Sequence, residues 1–199
     1  VVGGDFSGPA ITFSSTVSAD LPASAPTFAG FVAAFAATDG TPMWATVTDS
    51  SGPSSVTGVS TIGDTVYAIG FASGRLAVGD IVGVDLVATT SNRGFIAALA
   101  SDTGKASHME LLGGIGTPDN IPYSIDSDGT RNLVASGFRT GTVEFNLPGE
   151  TLGTWTEDNY PDNSVWPDNM PMLIGFDAGK VASKFRLHGV DNVAYTATG

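Results

Sequence analysis

The sequence predicts an all-β protein built from about three copies of one four-stranded unit. Three observations carry that expectation. A short, small-residue apolar run ending in an Asp/Gly turn occurs three times, at offsets of 64 and 77 residues (Phe31 to Phe95 to Met172). Each run is followed by a second strand-like segment close behind its turn, as in a hairpin. The composition, with 26 Gly and 11 Pro but only 8 Lys plus Arg, favours many turns over long exposed helices.

The three first strands are Phe31-Val32-Ala33-Ala34-Phe35, Phe95-Ile96-Ala97-Ala98-Leu99 and Met172-Leu173-Ile174-Gly175-Phe176. Uninterrupted apolar runs of this length read as strands buried on both faces. Their turns are Asp39-Gly40, Asp102-Thr103-Gly104 and Asp177-Ala178-Gly179. The second strands follow at residues 42–47, 106–111 and 181–186. The third strand is clearest in Asp119-Asn120-Ile121-Pro122-Tyr123-Ser124, matched by Asp191-Asn192-Val193-Ala194-Tyr195-Thr196 and, more weakly, by residues 55–60. The fourth is Val66-Tyr67-Ala68-Ile69-Gly70-Phe71 in the first copy and Leu133-Val134-Ala135-Ser136-Gly137-Phe138 in the second. Both run on into a further alternating stretch.

The third copy stops at Gly199 with no fourth strand, and residues 1–13 supply one. Gly4 falls on Gly137, Ser7-Gly8 on Thr140-Gly141, and Ile11-Thr12-Phe13 on Val143-Glu144-Phe145. The chain therefore reads as a single repeat domain, 1–199, in permuted order. Residues 1–13 are strand four of the last repeat, 28–90 the first repeat, 94–150 the second, 151–170 an acidic Trp-rich insertion, and 171–199 a partial third.

Phe31 to Phe35, Asp39-Gly40, Trp44-Ala45-Thr46 and Val66-Tyr67-Ala68-Ile69-Gly70 together resemble the bacterial SBBP-type β-propeller repeat. Leu112-Gly113-Gly114 and Val134-Ala135-Ser136-Gly137 resemble it again in the second copy, whereas Ala34 and Ala98 replace the lysine usual to its first strand. The resemblance implies repeated four-stranded antiparallel sheets, arranged like propeller blades, with the N-terminal strand completing the last unit. It implies a surface or structural role and no reaction. Propellers close with four to eight blades, so about three units leave the join open. Two chains could form a six-bladed ring, three sheets could pack as a prism, or residues 1–13 could complete a neighbour's sheet.

Composition narrows the function classes. A net charge of −12 argues against nucleic acid, whose phosphates require clustered Lys and Arg. The longest nearly apolar run, residues 28–37, is too short to span a bilayer, so membrane insertion is not expected. Without Cys there is neither disulfide nor thiolate chemistry. No metal, cofactor or catalytic residue is expected. The two histidines, His108 and His188, have no neighbour at metal-ligand spacing, and the sequence carries no nucleophile elbow, zincin helix or phosphate loop. Asp126-Ser127-Asp128-Gly129-Thr130 opens like a calcium loop but has Gly137 at the twelfth position, and reads as a turn.

The candidate contact residues fall in two groups. The insertion gathers Trp155, Tyr160, Asp162, Trp166 and Asp168, a set suited to a protein partner or a sugar, with aromatic faces for stacking and carboxylates for hydrogen bonds. The same residues also suit an ordered loop whose Trp rings cap the sheet ends and whose Asp-Asn pairs form turns. The second group is the inter-chain strand, with Val1, Val2, Phe6, Ile11 and Phe13. The expected function is a non-catalytic structural protein that self-assembles through β-sheet contacts into a filament, wall or shell; an algal organellar shell such as that of the pyrenoid would suit it. The alternative is a lectin-like or protein-binding propeller module. The expected partner is a second copy of the chain, with carbohydrate a candidate. The expected location is secreted or cell-surface, or a plastid, since a chain opening on Val1 reads as one whose targeting segment has been removed.

Overall fold

A computed structural model describes residues 1–23, 27–82, 92–112, 120–139, 143–147, 150–155 and 170–177. Among them every regular element is a strand, and neighbouring strands pair antiparallel. The chain runs through one series of elements again and again. Its first round is β1 (Val2–Phe6), a small hairpin of β2 (Ala10–Thr12) and β3 (Ser18–Asp20), then β4 (Ala29–Phe35), β5 (Pro42–Ser50) and β6 (Ser54–Ile62). The second is β7 (Thr65–Ala72), the hairpin β8 (Leu76–Val78) and β9 (Ile81–Val82), then β10 (Arg93–Ala100), β11 (Ala106–Leu112) and β12 (Asn120–Ser127). The third is described through β13 (Asn132–Arg139), the hairpin β14 (Val143–Leu147) and β15 (Glu150–Trp155), and β16 (Met170–Asp177).

Local features repeat with the strands. Each β4–β5 and β10–β11 hairpin turns on a glycine of positive φ, Gly40 at 72° and Gly104 at 67°, where a side chain would strain the backbone. Both turns close with the same bonds: the Gly40 amide donates to the Ala36 carbonyl (2.9 Å) and the Gly104 amide to the Ala100 carbonyl (2.8 Å). Both hairpins also slip register at one place, between Ala34 and Phe35 and between Ala98 and Leu99. A bulge recurs in the third strands as well, after Val56 in β6 and after Pro122 in β12.

The sheets, however, are offset from the sequence units by two strands. The second sheet has the order β11-β10-β7-β6, joining strands three and four of one unit to strands one and two of the next. The first has the order β1-β4-β5-β8-β9 and the third β12-β13-β16, while β2–β3 and β14–β15 form two-stranded pairs. The four-stranded unit expected from the sequence is thus corrected. Strands two and three, β5 and β6, belong to different sheets, because β6 crosses to lie against β1 and β4. Residues 1–13 were expected to complete the unit at 171–199. In the structure β1 pairs with β4, from Val2 opposite Ala33 to Phe6 opposite Ala29. The second and third strands expected for the last unit fall in residues 178–199, outside the described residues.

Strand three of each unit is the stacking element between sheets: β6 lies over β1 and β4, and β12 over β7 and β10. The main core fills the space between the first and second sheets with Val32, Ala34 and Trp44 on one side and Val66, Ala68, Phe95, Ala97 and Leu99 on the other. Phe95, Ile69 and Leu76 are among the largest fully buried side chains, each contributing about 1.5–3 kcal/mol by transfer from water. Small residues set the spacing. A methyl added at Gly30 would stand 2.9 Å from the Val56 amide nitrogen, and one at Gly58 would stand 3.1 Å from that of Ile125. Hydrogen bonds stitch the sheets together: the Trp44 indole donates to the Ser101 carbonyl (2.8 Å), and the Thr57 hydroxyl to the Pro122 carbonyl (2.6 Å).

The opposite face of the first sheet carries a separate aromatic cluster. Phe6 and Phe31 meet edge to face at 6.2 Å, and Phe13 sits 5.6 Å from Phe31 and 5.7 Å from Phe35. Ile11 and Leu21, flanking the β2–β3 hairpin or within it, pack against this cluster.

Candidate functional site

Three equivalent glycines define the site. Gly4 in β1 pairs with Phe31, Gly70 in β7 with Phe95, and Gly137 in β13 with Met172. The strand-four glycines are required where strand three comes close. At Gly70 an added methyl would collide with the Ser55 carbonyl of β6, and at Gly137 with the Ile121 carbonyl of β12. At Gly4 it would meet only the ring of Phe31, at 3.2 Å. Gly4 is built like the other two, but no strand occupies its seat among the described residues.

That seat is the edge of β1 turned away from β4. β1 stands at one end of its sheet order, while β7 and β13 each have a strand on either side. Exposure follows. Val2 is 43% exposed, whereas its equivalents Ala68 and Ala135 are 1% and 0% exposed. Free edges are ordinarily guarded by lysine, proline or a bulge. The β1 sequence Val-Gly-Gly-Asp-Phe has none of these; its one charge, the exposed Asp5 carboxylate, accepts a hydrogen bond from the Ser55 hydroxyl at 2.8 Å.

A second open surface lies on the third sheet. In β7, Tyr67 and Ile69 are buried on the face where β12 crosses, and burial raises the Tyr67 phenol above its usual pKa. The equivalents in β13 are Val134 and Ser136, and Val134 is 45% exposed. Stacking of sheet one on two and of sheet two on three is therefore repeated, whereas no described strand lies over the Val134 face or pairs with the outer edge of β1.

The expected inter-chain residues divide. Val1 and Val2 are exposed, 45% and 43%, while Phe6 is buried and Ile11 and Phe13 are half-buried in the chain's own aromatic cluster. Trp155 is the last residue of β15, paired with Val143. Tyr160, Asp162, Trp166 and Asp168 lie outside the described residues. Asp128 closes a turn: its carboxylate accepts from the amides of Thr130, Arg131 and Asn132 at 2.8–2.9 Å, which holds its pKa well below the usual range. His108 lies 3.2 Å from the Glu110 carboxylate on β11. Among the described residues no cluster of three or more His, Asp or Glu is placed to hold a metal, and no helix is long and apolar enough to cross a membrane.

Two contributors were not singled out from the sequence, Gly4 and Val134. The signal for Gly4 was its alignment on Gly137; its consequence needed the neighbouring carbonyl. No family model matches the chain, and no curated protein does.

Proposed function

We propose that this chain is a structural protein that self-assembles through β-sheet contacts into a filament, wall or shell. The reading is carried by the outer edge of β1, which no strand pairs among the described residues, whereas β7 and β13 are each flanked on both sides. Such an edge is a template for another strand. The acidic charge of −12 keeps a sheet-rich chain from associating without specificity. The units are SBBP-type propeller repeats in this account, and the assembly belongs at the cell surface, outside the cell or in a plastid. Light scattering over a concentration series tests it. Mass should rise with concentration and micrographs should show extended or closed arrays. A fixed monomer or dimer at high concentration would end the proposal.

A further inference from the structure

Equivalent faces of the first and second sheets are covered in different ways. In the second sheet the face carrying Phe95, Ala97 and Leu99 is covered by Val32, Ala34 and Trp44 of the first. The equivalent residues of the first sheet, 64 positions earlier, are Phe31, Ala33 and Phe35. They alternate with Val32 and Ala34, and so face away from the second sheet. Phe31 and Ala33 are nonetheless only 9% and 1% exposed, close to the 0% of Phe95 and Ala97. Among the described residues, much of this shield is supplied by the β2–β3 hairpin. Its Phe13 ring stands 5.6 Å from Phe31 and 5.7 Å from Phe35, with Ile11 and Leu21 packed on the same cluster.

The hairpin is shaped for this place. Its counterpart β8–β9 lies 66 positions on, from Gly4 to Gly70 and from Ala10 to Leu76. That hairpin turns through two residues, Gly79-Asp80, whereas β2–β3 turns through five, Phe13 to Val17. Phe13 therefore stands where the second hairpin has a glycine. The longer loop is held by its own bonds: the Phe13 amide donates to the Val17 carbonyl at 3.0 Å, and the Val17 amide to the Ser14 hydroxyl at 3.1 Å. Ile11, Phe13 and Ala19 are shielded, while Thr12, Ser15, Thr16, Ser18 and Asp20 are exposed. An apolar inner side under a polar outer one is the finish that stacked repeats need at an end.

We propose that the Phe13 loop is an end cap. It takes up on the first sheet the room that Val32, Ala34 and Trp44 take up on the second, and so bars another sheet from stacking on the Phe31 face. The claim goes beyond the self-assembly reading and does not need it. Joined to that reading, it gives the assembly a direction: growth by pairing along a sheet edge, not by stacking on this face. Lifting the loop would uncover a patch of Phe6, Phe31, Phe35, Ala45 and Val47, the kind of contiguous apolar surface through which proteins associate.

Two full-length variants open the cap. One replaces Phe13 to Val17 by Gly-Asp, the turn of the second hairpin; the other is Phe13→Ala. Phe13→Leu, which keeps an apolar filler, is the control. In dilute solution, with circular dichroism showing a folded chain, both openings should raise the fluorescence of a dye that binds apolar surface severalfold over the parent. Phe13→Leu should read like the parent. As concentration rises, light scattering should show the opened variants gaining mass ahead of the parent. Should the shortened loop fail to fold, Phe13→Ala decides alone. Unchanged dye binding in folded Phe13→Ala overturns the inference, because the face is then shielded without the ring. A rise in dye binding with no gain in mass overturns it as well, since the loop would cover the face without barring a stack. The parent's own mass over the same series bears on self-assembly alone, so a parent that stays one chain removes the assembly and leaves the cap standing.

Discussion

Adding one methyl group at each of the three equivalent glycines should have unequal effects. At Gly70 the new atom stands 2.9 Å from two ring carbons of Phe95 and collides with the Ser55 carbonyl. The carbonyl cannot withdraw easily, because β6 is held by its ladder to β7 and by the Thr57 bond to Pro122 at 2.6 Å. Overpacking of this kind costs about 1–3 kcal/mol, offset by roughly 0.4–1 kcal/mol from the stiffer unfolded chain. A net loss of about 1–2 kcal/mol lowers the melting temperature by roughly 2–8 °C for a chain of this size. Gly137→Ala should behave likewise, with the methyl 2.6 Å from Pro122 Cα. Gly4→Ala, with one ring carbon at 3.2 Å, should change dilute-solution stability by less than about 0.5 kcal/mol. Thermal melts followed by circular dichroism at low protein concentration give the comparison. Gly70→Ala melting with the parent, or Gly4→Ala falling as far as Gly70→Ala when dilute, would refute the assignment of these glycines to strand-three seats.

Three further outcomes follow from the packing. Phe95→Ala empties a fully buried site between the first two sheets and should cost about 3–5 kcal/mol in chemical denaturation. Thr57→Val keeps the shape but removes the hydroxyl bond to the Pro122 carbonyl, and should cost about 1 kcal/mol. Asp128 has a folded pKa below its unfolded value, which is about 3.9 in a free chain. Its contribution is therefore complete above that value and lost as pH falls through the folded one. The gap in urea midpoint between the parent and Asp128→Ala should be constant near neutrality and shrink below about pH 4; a gap that does not change with pH would contradict the turn's role.

The strands were legible because their signals are local. Apolar runs such as Phe95 to Leu99 and the Asp/Gly turns at Gly40 and Gly104 declare themselves within a few residues. Which strand pairs with which is a non-local matter, settled by packing that no short window contains. Hence β5 and β6, adjacent in sequence, separate into different sheets, and β1 pairs with β4. The short, polar β3 at Ser18–Asp20 carries no strand pattern and was not foreseen. For the site, apolar character nominated Phe6, Ile11 and Phe13 alongside Val1 and Val2. It could not show that the ring of Phe6 would be spent on Phe31 of its own chain. The alignment of Gly4 on Gly137 held the essential information, but only the strand-three carbonyls at Gly70 and Gly137 reveal what the missing side chain makes room for.

The most direct test of the central claim is the mass of the unmodified protein by light scattering as concentration rises, with micrographs of the concentrated sample. Assembly through the outer edge of β1 predicts steadily increasing mass and visible arrays, both lost in Gly4→Val. A mass that stays that of one chain or two at every concentration would contradict it.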